Sequence, residues 1–150
     1  MDDEDVFFKA KKEMVRVDHL IFVSLKYSRT VDVIKSVIKR IISTFDLGMI
    51  AALETKYKGE ELKNVLHGPK SMRDAMRKEF PDTKDFMKFY KFLRELDKAR
   101  VKQRLNEFRR HVTLVADVAG EEQNVKIETV EEYYEKTKEF LEVIGEITKK

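Results

Sequence analysis

A chain of 150 residues with 42% apolar and 39% charged side chains fills one domain with a real core and leaves little room for a second. That balance excludes a disordered protein, and no apolar run approaches the ~18 residues of a membrane span. The lack of cysteine excludes a disulfide framework, a thiol nucleophile and a cysteine-based metal site.

The start, MDDEDVFFKAKK, is acidic where a secretory signal is basic, so a cytoplasmic protein with no membrane association is expected. Asn and Gln number only five while Lys and Glu abound, a composition that fits heat adaptation. The net charge of +3 is uneven: residues 70–110 carry +7 and residues 111–150 carry −5. Such a basic centre suits phosphates, although pairing with the acidic C-terminal segment explains it more plainly.

Phe7, Ala10, Met14, Val17, Ile21 and Leu25 recur at three and four residues, which predicts a helix from Asp5 to Tyr27 with acidic residues at its start. In KYSRT, Ser28 or Thr30 would cap the next helix, and Tyr27 and Arg29 stand where they could touch a ligand. The segment after it is rich in β-branched residues, but its apolar pairs step by four. Period outranks propensity, giving a helix from Val31 to Tyr57 closed by a left-handed Gly59. These two helices would form an antiparallel hairpin with arms of about 35–40 Å. A short helical turn is expected over Glu60–Leu66, with a break at His67-Gly68-Pro69.

Ser71 with Asp74 reads as a capping box for a helix ending at Phe80, before Pro81. Asp82 would cap the next helix, whose stripe of Phe86, Phe89/Tyr90, Leu93, Leu96, Val101, Leu105 and Phe108 carries it to Arg110, with a bend or a partner contact near Lys98. Residues 112–128 alternate around Gly120 and read either as a short β-hairpin or as a helix end plus loop. Thr129 with Glu132 reads as a capping box for a last helix, Val130–Thr148. The expected fold is one all-α domain spanning 1–150, an antiparallel bundle of four to six helices.

No phosphate-binding glycine loop, zinc motif, EF-hand or nucleophile elbow is present, so no cofactor or metal is assigned. His19, His67 and His111 are far apart in sequence. His19 reads as a structural histidine and His67 as a loop residue. Phe86, Phe89, Tyr90 and Phe92 could stack bases, but their helical spacing favours packing. The concentrated chemistry lies in RLNEFRRHVTLVADV, where Arg104, Arg109, Arg110 and His111 run into an apolar segment.

The helical order together with Arg104-x6-His111 resembles the HEPN superfamily (higher eukaryotes and prokaryotes nucleotide-binding domains). The spacing sits at the upper limit of that family's motif, and the place after the arginine, polar in many members, is Leu105. The resemblance implies a homodimer with an RNA- or nucleotide-related role, up to a metal-independent ribonuclease. It gives His111 the acid–base role and Arg104 the stabilisation of the phosphorane charge, while Arg109 and Arg110 would hold the RNA backbone. The bland alternative is a helix end whose cations answer the dipole. In function, the alternative is a non-catalytic interaction module that binds a protein partner or itself through the broad apolar face of the Val31–Tyr57 helix.

Overall fold

A computed structural model of the chain describes residues 5–149. These residues are 72% helical and carry a three-stranded antiparallel sheet, so the fold is mostly helical rather than all-α.

Helix α1 (Val6–His19), a π-helical segment (Leu20–Leu25) and α2 (Lys26–Ser28) form one rod. Asp5 caps it by accepting the Phe8 N–H at 2.7 Å. The acidic residues ahead of Asp5 lie outside the described residues. Ala10, Met14, Val17, Ile21 and Leu25 are buried along the foreseen stripe, whereas His19 is exposed. The rod ends at Arg29, whose backbone is left-handed (φ 52°, ψ 49°) and whose N–H donates to the Leu25 carbonyl.

Thr30, not Ser28, caps α3 (Val31–Leu53) by accepting the Val33 N–H. Helix α3 stops four residues before Tyr57, and the chain turns through residues 54–56. Gly59 is left-handed as expected (φ 57°), but it opens α4 (Gly59–Val65) instead of closing α3. Period prevailed over β propensity because α3 is the centre of the core, with Ile34, Val37, Ile38, Ile41, Phe45, Met49 and Leu53 all buried. Its broad apolar face is therefore turned into the chain's own core.

Helix α5 (Pro69–Glu79) begins two residues before Ser71. Proline suits the first helical position, which fixes the start there. Ser71 instead donates to the Asn64 carbonyl, and Asp74 pairs with Lys70 and Arg77, so no capping box forms. Asp82 falls inside a 3-10 turn (Pro81–Thr83) that precedes α6 (Lys84–Lys98) and does not cap it.

The expected continuation of α6 to Arg110 is wrong. Ala99 is extended (ψ 145°), and β1 (Val101–Leu105) pairs antiparallel with β2 (Thr113–Val118), which pairs with β3 (Glu121–Val125). Of the two readings for residues 112–128, the hairpin is present. Its turn is made by Ala119 and Gly120, both with positive φ, as a two-residue hairpin connection favours. Helix α7 (Ile127–Thr148) starts ahead of the expected Val130. Thr129 works from inside the helix, its hydroxyl accepting the Lys126 N–H at 3.1 Å.

Helices α3 and α7 meet at Gly48, where an added Cβ would stand 2.7 Å from Phe140 Cε2. The Phe140 ring is stacked on Phe45 with centroids 4.3 Å apart, so it has little freedom to retreat. Phe86, Phe89, Tyr90 and Phe92 join the same aromatic cluster and are therefore packing residues. The buried Glu13 ties α1 to α3 by accepting from Arg16 at 2.7 Å and Arg40 at 3.1 Å. Burial would raise its carboxyl, but the bonds from Arg16 and Ser43 and the Arg40 charge outweigh that and lower it.

This packing gives two expected outcomes. Gly48→Ala should cost about 1–3 kcal/mol in urea unfolding, although alanine is the better helix former; a stabilised variant would contradict the tight crossing. Glu13 contributes stability above its unfolded value near 4.5, which is lost as pH falls through its lower folded value. Glu13→Gln should therefore lower the urea midpoint at neutral pH and flatten its fall on acidification, and an unchanged acid profile would exclude this role.

Candidate functional site: the loop between the first two strands

Arg104, Arg109, Arg110 and His111 gather on one hairpin, not on one helix. Arg104 sits on β1 opposite Leu114, and the other three lie in the loop that leads to β2. The helix face that Arg104 and His111 would have shared does not exist, because β1 replaces it.

Three ties hold this loop to the junction between α2 and α3. Glu107 Oε2 accepts the Val31 N–H at 2.8 Å. The Phe108 N–H donates to the Arg29 carbonyl at 2.7 Å. Arg104 Nη1 meets Asp32 Oδ1 at 3.1 Å and Glu107 Oε2 at 3.9 Å. The first tie has a clear cause. The opening N–H groups of α3 have no partner within the helix, so Thr30 serves Val33 and a carboxylate from 76 positions away serves Val31. The Glu107 charge also answers the positive end of the helix dipole.

The backbone here is strained. Arg29 (φ 52°), Asn106 (φ 56°) and Phe108 (φ 69°) are three of the four left-handed non-glycine residues among those described. For a bulky side chain such a conformation is an outlier, costing about 1–3 kcal/mol, and it persists only where the surroundings impose it. The Arg29 Nε is buried without a hydrogen-bond partner. Asn106 Nδ2 and the Thr113 hydroxyl both donate to the His111 carbonyl, which pins the far end of the loop.

Phe108 stands outward on this backbone. Its side chain is 76% exposed, Tyr27 at the end of the rod is 87% exposed, and Leu105 is exposed between them in sequence. Arg109, Arg110 and His111 are exposed alongside. No hydrogen bond or ion pair among the described residues joins Arg104 to His111; the arginine turns toward Asp32 and Glu107, and two carboxylates answer its charge. One chain thus presents an open platform of aromatic rings and cations, with no closed acid–base pair.

Sequence reasoning missed Glu107, Asp32 and Phe108, whose roles depend on contacts across more than 70 positions. Tyr27 and Arg29 were marked by the KYSRT junction. Elsewhere the Tyr90 hydroxyl donates to Asp46, tying α6 to α3. Burial lifts the Asp46 carboxyl, with the Tyr90 bond and the Arg94 charge opposing it. Comparison with protein-family models, curated proteins and solved structures finds no match to this chain.

Glu107→Ala should cost about 1–2 kcal/mol as α3 loses a cap, and amide exchange should quicken at Val31 and across residues 106–111. Unchanged exchange at Val31 would show that the carboxylate does not hold the loop.

Proposed function

We propose that the loop at residues 106–111 and the adjoining α2–α3 junction bind single-stranded RNA, and that this is a HEPN-like RNA-related domain. The observation that carries the reading is Phe108, a bulky residue held outward in a strained backbone beside Arg109, Arg110 and His111. Packing gains nothing from that arrangement. A base gains a face to stack on, and its phosphates gain cations without sequence readout. The open shape suits a polymer better than an enclosed small molecule.

Catalysis is the finer part of the proposal. In the HEPN-like role His111 would move the proton of a 2′-hydroxyl and Arg104 would stabilise charge on the phosphate, with no cofactor. The pairing of Arg104 with Asp32 and Glu107 favours binding over cleavage in a lone chain. The described residues contain no helix long and apolar enough to cross a membrane.

Phe108→Gly separates function from fold, because glycine relieves the positive φ while deleting the ring. The variant should be at least as stable as the parent yet bind short single-stranded RNA about tenfold more weakly by fluorescence anisotropy. Arg109→Ala/Arg110→Ala should weaken binding and flatten its dependence on salt. Binding that ignores both changes, or none at low salt, ends the proposal. Cleavage by the parent but not by Arg104→Ala/His111→Ala would establish the nuclease version, and equal cleavage by both would remove it.

A further inference from the structure

The sheet has an outer face with a pattern of its own. Leu114, Ala116 and Val118 belong to the core, so the alternate residues of β2 and their strand partners face the other way. They stand in three rows across the strands. Nearest the loop, Leu105 lies opposite Thr113, and the exposed Lys126 continues that row on an extended backbone. Gln103, Val115 and Asn124 are directly opposite one another in the next row. Asp117 and Glu122 face each other in the last, and both hold Lys102, at 3.4 and 3.5 Å.

The middle row stands apart in chemistry. The chain has only five Asn and Gln residues, and four of them fall between positions 103 and 124. Asn106 is committed to the His111 carbonyl, and Gln123 sits opposite Ala116 on the inner side. Gln103 and Asn124 are exposed, and no hydrogen bond among the described residues engages either amide. Val115 between them is only 1% exposed, although it lies outside the core cluster. Side chains beside it supply that cover, and its two cross-strand neighbours are Gln103 and Asn124. Strands about 4.8 Å apart put the Gln103 and Asn124 Cα atoms about 10 Å from each other. Side chains leaning in over Val115 bring both amides within reach of one base.

We infer that Gln103 and Asn124 read a base of the bound single strand, and that the base is adenine; this rests on the RNA-binding reading above. A side-chain amide carries a donor and an acceptor side by side, and adenine answers them with N7 and its N6 amino group. Guanine presents two acceptors along the same edge and suits arginine better. Bases of a single strand are free to show these edges. Arg109, Arg110 and His111 hold phosphates alike in every sequence, so selectivity comes from the uncharged groups next to them. The rows also orient the strand. It meets cations at the loop end, whereas at the far end two carboxylates already occupy Lys102 and repel phosphate.

Fluorescence anisotropy with oligoadenylate and oligouridylate of equal length tests this on the whole chain. The parent should bind oligoadenylate about tenfold more tightly. Gln103→Ala/Asn124→Ala should remove that preference, with oligouridylate affinity and melting unchanged. An oligomer of 7-deazaadenosine lacks the N7 acceptor but keeps its charge and its stacking face. It should bind the parent more weakly than oligoadenylate does, and the double variant no differently. Equal affinity of the parent for both natural oligomers, or a preference for oligouridylate, overturns the inference and leaves the RNA site standing. A preference that the double variant keeps also overturns it, since stacking alone would then explain the choice. A parent that binds neither oligomer removes the RNA site and the inference together.

Discussion

The broad apolar face of helix α3 has to be covered. A helix with so broad an apolar face is stable only when that face is buried, and this one carries buried residues from Val31 to Leu53 beside an exposed stripe of Asp32, Ser36, Lys39 and Arg40. The other elements are arranged by that demand. The α1 rod and α7 cover it on one side, α5 and α6 on another, and the inner face of the sheet supplies Leu114, Ala116, Val118 and Val125. Gly48 sets how close α7 can come, because Phe140 fills the space where a side chain would stand.

Burying α3 exposes a second difficulty, its free N-terminal N–H groups. One is served locally by Thr30, and another requires Glu107 from the far hairpin. The loop is thereby drawn against the α2–α3 junction, and that closure imposes the strained backbones of Arg29, Asn106 and Phe108. Arg104 is recruited into the same arrangement through Asp32 and Glu107. The residue most suggestive of catalysis is therefore also part of the clasp that positions the loop.

Where the apolar residues keep a helical period over many turns, the helices were legible. The α1 rod, α3 and α7 are the cases, and in α3 the four-step outweighed its β-branched content. Helix starts were less legible, because Pro69 and Lys126 set them ahead of the more conspicuous Ser71 and Thr129. Strand β1 was hidden for a specific reason. Val101 and Leu105 are four apart, so they extend the α6 stripe, while Lys102, Gln103 and Arg104 between them offer no apolar alternation to set a strand against that helix. Only the extended Ala99 and the pairing with β2 decide between them. The basic and aromatic character of the loop was visible in sequence, but its clasp was not, since Glu107 and Val31 have no local relation. The π segment was equally hidden, because the inward stripe from Val17 through Ile21 to Leu25 reads the same with or without it.

The loop and the α1 rod are linked by geometry, since the rod ends at Tyr27 and Arg29, against the loop that carries Phe108. The loop is therefore positioned from two sides, by the rod that covers α3 and by the Glu107 carboxylate that caps it. A change at Glu107 reaches the helix start and the loop together, whereas a change at the exposed Phe108 side chain leaves both in place, so the loop's fold and its surface chemistry separate at Phe108 and not at Glu107.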